Sequence, residues 1–379
     1  MRKFYFILVI SLLLPIVCCA QGSIQSPKKG AQMESLKNNA QRGDAEAQIE
    51  LGKLYYDGEG VKKDLKQAVY WWKKAAEQGN KFAQHILGIC YYDGEGVKKD
   101  LNEAVYWWKK AAEQGYASAQ CRLGICYVDG EGVAKDYKQA FQWFKKAAEQ
   151  GDAEAQGLLG TCYVDGKGVA KDHKQAVLWF KKAAEQGDAT AQYRLGFRYY
   201  NGEGVQKDRK QAVYWWKKAA EQGDKDAQRR LGYCYEEGEG VAKDYEQAFH
   251  WFKKAAEQGD AIAQYDLGFS YYNGEGVQKD RKQAVYWWKK AAEQGDKDAQ
   301  FELGECYAWG RGVSEDQKQA AYWYGKAAEQ GHVKAQFEMG ERYYNNNGVA
   351  TDKNLSKYWM KKAAEQGHEN AKIYLERMY

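Results

Sequence analysis

The sequence predicts an all-α fold, a right-handed α/α superhelical solenoid built from 36-residue helix-turn-helix repeats. Three observations carry this prediction. Gly43, Gly79, Gly115, Gly151, Gly187, Gly223, Gly259, Gly295, Gly331 and Gly367 recur at one fixed spacing of 36 residues. Between them, apolar residues fall at helical spacing. The only prolines, Pro15 and Pro27, precede the repeats, so no later segment is barred from helix by that residue. A chain of 379 residues has room for two or three ordinary domains, but internal repetition replaces that count with a single array.

The segments follow in order. Arg2 and Lys3, the apolar run Phe4 to Val17 and the small residues Cys18-Cys19-Ala20 read as a secretion signal over residues 1–20, with Gln21 as the mature start. The competing reading is a membrane anchor. The run is about 14 residues against the ~20 needed to span a bilayer, which favours cleavage and no stable membrane insertion afterwards. Residues 21–32 read as a linker. Residues 33–43 align with a second repeat helix that lacks its tryptophans, an N-terminal capping helix. Nine repeats then occupy 44–79, 80–115, 116–151, 152–187, 188–223, 224–259, 260–295, 296–331 and 332–367. Residues 368–379 form a C-terminal capping helix, where Lys372 and Glu376 put charge in place of the repeated Gln and Gly.

Within the first repeat, Ala47, Leu51 and Tyr55 lie on one face of a helix, with Gln48 and Gly52 beside them. Gly58 stands at the left-handed position that ends such a helix, and Gly58-Glu59-Gly60-Val61 makes the turn. Asp64 with Gln67 suits the start of a second helix, and the pair lapses only at Asp352/Leu355. That helix carries Ala68, Trp71, Trp72, Ala75 and Ala76 on one stripe. Gly52 and its eight equivalents sit inside a helix, where glycine costs about 1 kcal/mol. The expected compensation is close approach of the partner helix, with a tryptophan lying across the missing side chain.

These residues resemble the Sel-one-like repeat family, a relative of tetratricopeptide repeats. The resemblance rests on Ala47-Gln48-x-x-Leu51-Gly52-x-x-Tyr55, Gly58-x-Gly60-Val61-x-x-Asp64 and Ala68-x-x-Trp71-x-x-Lys74-Ala75-Ala76-x-x-Gly79, and it covers residues 33–379. It implies an adaptor that binds other proteins. Secreted cysteine-rich relatives staple each repeat with two cysteines, and some are described as penicillin-binding or β-lactamase-like. Their cysteine positions correspond to Ala76 and Gln84 here, so the staple is missing.

Signatures of chemistry are sparse. Five of the six cysteines after the signal (Cys90, Cys126, Cys162, Cys234 and Cys306) share the slot before the repeated tyrosine. Cys121 is the sixth. Equivalent helices in adjacent repeats lie about 8–10 Å apart, beyond the ~7 Å that a disulfide allows. The expectation is free, partly buried thiols and no disulfide. None of the five histidines has a His or Cys partner at metal-ligand spacing, so no metal, cofactor or catalytic residue is assigned. A Ser-x-x-Lys string at Ser26-Pro27-Lys28-Lys29 lacks the companion motifs of a β-lactamase. The formal net charge of +5 is too small to argue for nucleic acid.

In a solenoid the invariant slots build the stack and the variable ones are free to meet partners. On the first helix the variable slots are those of Ile49, Lys53 and Tyr56. This stripe becomes aromatic at Tyr193, Phe197, Tyr200, Tyr233, Tyr265, Phe269 and Tyr272, then gains Glu305 and Glu341. These nine residues are the candidate contacts for a protein or peptide ligand, weighed against extra packing between repeats. The tyrosines at the Tyr70 slot of the second helix are expected to be partly packed. The function expected is a secreted or periplasmic interaction scaffold. The alternatives are a β-lactamase-like hydrolase, by resemblance only, and a lumenal adaptor of a eukaryotic secretory pathway.

Overall fold

The structure is a computed structural model and describes residues 27–378. The expected signal, residues 21–26 and Tyr379 lie outside the described residues. Among those described there are twenty helices and no strand. The first helix, Pro27–Gln41, starts six residues before the expected cap. Proline suits a helix start because its missing N–H would have no partner there. The chain then gives two helices per repeat, each of 13 residues, beginning with Ala45–Asp57 and Leu65–Glu77. The last helix is Glu369–Met378. Two compact units are present, one reaching Ala119 together with Glu131–Ala134, the other comprising Gln120–Gly130 and everything from Lys135.

Each helix is bounded by local chemistry. Asp44 accepts from the Ala47 N–H at 2.7 Å. Gly58 ends the helix at φ 79°, and its N–H and that of Glu59 donate to the Leu54 carbonyl. That conformation places Asp64 to accept from the N–H groups of Lys66 and Gln67 and so start the second helix. Asp352 does the same with Asn354 and Leu355, although the glutamine or glutamate of the box is absent. Backbone donors satisfy the cap whichever side chain follows.

The second glycine of the turn has a steric duty as well. A Cβ on Gly204 would lie 2.1 Å from the His173 carbonyl oxygen of the preceding repeat, so the turn rests on backbone. The helix-interior glycines meet side chains instead. A Cβ at Gly52 would lie 2.4 Å from Trp72 Nε1, and one at Gly196 2.5 Å from Trp216 Cδ1. The same slot holds Trp108, Phe144, Phe180, Phe252, Trp288, Tyr324 or Met360 opposite the other glycines. Where it is tryptophan, the indole donates to a carbonyl of the facing helix, as Trp216 does to Tyr193 at 3.1 Å. The slot one residue earlier, tryptophan in every repeat, fills the space between repeats. Trp251 joins the core formed by Ala212, Trp216, Leu231 and their neighbours.

A polar rung crosses this packing. Gln228 is buried, donates to the Ala220 carbonyl of the preceding repeat at 3.0 Å and accepts from Gln258 at 2.8 Å. The glutamine pair recurs in both units, from Gln48/Gln78 to Gln336/Gln366. In the last described helix Lys372 takes this glutamine's place, is exposed and pairs with Glu369, so the rung is not made there.

Two outcomes test this packing. Gly196→Ala gains about 1 kcal/mol of helix propensity but overpacks against a rigid indole at a cost of about 1–3 kcal/mol. Its urea midpoint falls, whereas Gly340→Ala, facing the flexible Met360, changes little. Gln228→Leu removes the side-chain bonds to the Ala220 carbonyl and from Gln258, which keep only their contacts to the backbone around Gly223, and lowers stability by about 0.5–1.5 kcal/mol.

Candidate interaction face

The candidate face is the variable stripe of the first helices in repeats five to nine, all in the second unit. The nine residues singled out on it are half-buried, neither core nor free surface. Tyr193, Phe197 and Tyr200 pack on one core cluster and Tyr265, Phe269 and Tyr272 on another. Several polar tips are tied across repeats. The Tyr200 hydroxyl donates to Glu239 of the next repeat, and that of Tyr233 to Asp266 at 2.5 Å. Glu305 accepts from Tyr324 and faces Arg311 at 3.6 Å. The stripe thus serves inter-repeat packing while keeping an accessible edge. By contrast, the Tyr193 and Tyr265 hydroxyls have no hydrogen-bond partner among the described residues.

Sequence reasoning missed the neighbouring slot, that of Glu50. It holds Arg194 and Arg230 in repeats five and six, then Asp266, Glu302 and Glu338 in repeats seven to nine. The reversal of sign was visible in the sequence, but the slot seemed to lie beside the stripe. The structure makes the two slots one surface, because Tyr233 reaches Asp266 and Arg230 lies over the Phe197 ring.

The acidic half is crowded and only partly relieved by neighbouring cations. Burial raises Glu302 from the ordinary 4.5 to about 7, and Glu305 adds to the effect against Lys334 and Arg311. Glu338 rises to about 7 through burial, then through Glu341 and Glu305. Asp266 also rises to about 7 by burial, despite the hydrogen bond from Tyr233. Neither Glu302 nor Glu338 has an ion-pair partner among the described residues.

Other groups have structural duties. His332 and His368 occupy the aspartate position that starts the first helix, where Nδ1 accepts from Ala335 and Ala371. Each ring also stacks on a phenylalanine, Phe301 or Phe337, at 4.5 Å. The six cysteines form no disulfide and are buried rather than partly so, because they pack into the core clusters, as Cys90 does with Trp72, Ala75 and Trp107. Burial pushes Cys162 up to about 11 and Cys234 and Cys306 to about 12, away from nucleophilic reactivity. Among the described residues no group of three His, Cys, Asp or Glu side chains is arranged to hold a metal ion. On the second helix, the tyrosines of the Tyr70 slot are more open than expected. Tyr214 is 50% exposed, set edge-on against Trp215 at 5.0 Å with Lys218 over its ring.

Paired helices repeating around an invariant packing pattern define a tetratricopeptide-like α/α solenoid. The Sel1 repeat matches nine times in succession, from residues 45–80 to 333–368, and the chain belongs to the Sel1 repeat family. It is similar in structure to a protective antigen present in uropathogenic Escherichia coli strains that displays an SLR fold. There the TM-score is 0.75 and identity 38%, over 92% of this chain and 82% of that one. A Sel1 repeat protein from Oxalobacter formigenes aligns with a TM-score of 0.64 and 35% identity, over 87% and 98% of the two chains. A 43-residue stretch is 46% identical to the secretory immunoglobulin A-binding protein EsiB of Escherichia coli O6:H1. That stretch is 11% of this chain and spans only 9% of EsiB. No helix among the described residues is long and apolar enough to cross a membrane.

The raised carboxyls set a pH dependence. Each folded value lies above the unfolded one, so folding favours the protonated form. The stability this contributes is present below about pH 4 and is lost as pH rises through about 7. Glu302→Gln/Glu338→Gln removes part of that loss. Melting temperatures of the variant fall less than those of the parent between about pH 5 and about pH 8.

Proposed function

We propose that this chain is an exported scaffold that holds a protein or peptide partner on the first-helix face of repeats five to nine. One observation carries the reading: the scaffold slots repeat through the whole array, while this variable face changes from the small and aliphatic residues of repeats three and four (Cys121, Ile125, Val128, Gly157, Thr161 and Val164) to aromatic and charged ones in repeats five to nine. Half-buried aromatics on a pre-formed surface supply contact area at little ordering cost. The family supports the reading, since Sel1 repeats generally mediate protein interactions. The short match to an immunoglobulin A-binding protein points the same way. Export rests on the pattern of residues 1–20 and on those bacterial relatives.

Tyr193 and Tyr265 can be truncated without breaking a side-chain hydrogen bond. In pull-downs from the native compartment, Tyr193→Ala/Tyr265→Ala recovers at least about tenfold less partner than the parent. Tyr214→Ala, on the second-helix face, recovers the same amount. Equal recovery by all three proteins, with unchanged melting temperatures, overturns the assignment of this face.

A further inference from the structure

We infer that the first-helix face is polarised. It takes an extended polypeptide whose acidic segment lies over Arg194 and Arg230 and whose basic segment lies over Glu302, Glu338 and Glu341. This rests on the protein-binding reading above and adds the chemistry and direction of the partner.

Three observations support it. First, the two halves of the face carry opposite charge at the same slots, two arginines followed by acids in three successive repeats. Second, these charges are not consumed within the protein. Among the described residues Arg194 and Arg230 form no ion pair, and neither do Glu302, Glu338 or Glu341, whereas nearby Arg229 is held by Asp226 and Asp260. Third, the acids are crowded and half-buried, so the fold bears a cost that a cationic partner would relieve. Tyr265 and Phe269 lie between the two halves, edge to face at 4.9 Å, and offer an apolar contact at the crossing point.

The pattern selects among occupants. A polyanion or polycation would meet repulsion over half of the face, while a polypeptide with separated charge blocks meets attraction along its length. Four steps of roughly 10 Å between repeats correspond to about a dozen extended residues.

The test uses the full chain and synthetic peptides in fluorescence anisotropy. One peptide carries a glutamate block, two central tyrosines and a lysine block. The comparison peptides are a scramble of the same composition, an all-lysine and an all-glutamate version. The block peptide binds at least about tenfold tighter than any of them, and loses affinity with added salt. Glu302→Gln/Glu338→Gln and Arg194→Gln/Arg230→Gln each weaken it about tenfold. The first pair removes destabilising charges, so the fold survives it. Equal affinity for block and scrambled peptides overturns polarity, as does stronger binding of the all-lysine peptide. If natural-partner recovery is lost in Tyr193→Ala/Tyr265→Ala but kept in both charge variants, polarity falls and the protein-binding face stands. If recovery is kept in the tyrosine variant too, the face itself is wrong.

Discussion

The buried glutamine rung is the constraint on which the rest depends. A solenoid must join each repeat to the last without a long-range sheet or a disulfide, and here hydrophobic packing alone would leave the stagger of successive repeats loosely defined. Gln192 settles it by donating to the Ala184 carbonyl of the repeat before and accepting from Gln222 at the end of its own second helix. A slide of one helical turn would leave the buried Gln192 amide without its partners, at a cost of about 1–3 kcal/mol in each repeat. The alanines around the rung are fully buried and small enough to let the helices approach to that distance. Specificity of stacking therefore comes from polar groups and stability from the aromatics around them.

The glycine opposite each aromatic shows how the scaffold tolerates change. Its requirement is space, so tryptophan, phenylalanine, tyrosine and methionine all serve in the same slot. The hydrogen bond made by Trp216 or Trp288 is an addition where an indole is present, and phenylalanine does without it. In repeat eight Tyr324 turns its hydroxyl to Glu305 instead. That single replacement ties the interior of a repeat to the variable face, and shows that core and face are not independent there.

Much of the fold was legible because it repeats. Gly58 as a helix end, Asp64 as a helix start and Gly52 as a point of close approach follow from local geometry that nine copies make hard to misread. Less was legible where a decision depends on depth. Cys90 and its equivalents were expected to be partly buried, but a helical wheel does not show that the slot packs among residues of two repeats, Trp72 and Ala75 with Trp107. Tyr214 was expected to be partly packed and stands half exposed, because its ring meets Trp215 by the edge only. The candidate face was legible at Tyr193, Phe197 and Tyr265. It was missed at Arg230 and Glu302, since their slot borders the stripe on paper and joins it only when adjacent repeats are set side by side.

Repetition also changes how an unfavourable feature should be weighed. The helix-interior glycine is unfavourable in every repeat and is offset in every repeat by the aromatic beside it, so it belongs to architecture. The crowding of Glu302, Glu338 and Glu341 is confined to the last two repeats and is only partly offset, by Lys334, Arg311 and Arg342. Repeats one and three show that the scaffold does not demand it, for their equivalent slots hold Glu50 beside Lys53 and Arg122 paired with Glu154. A cost confined to a few repeats, on slots the stack leaves free to vary, is the kind that binding rather than folding explains.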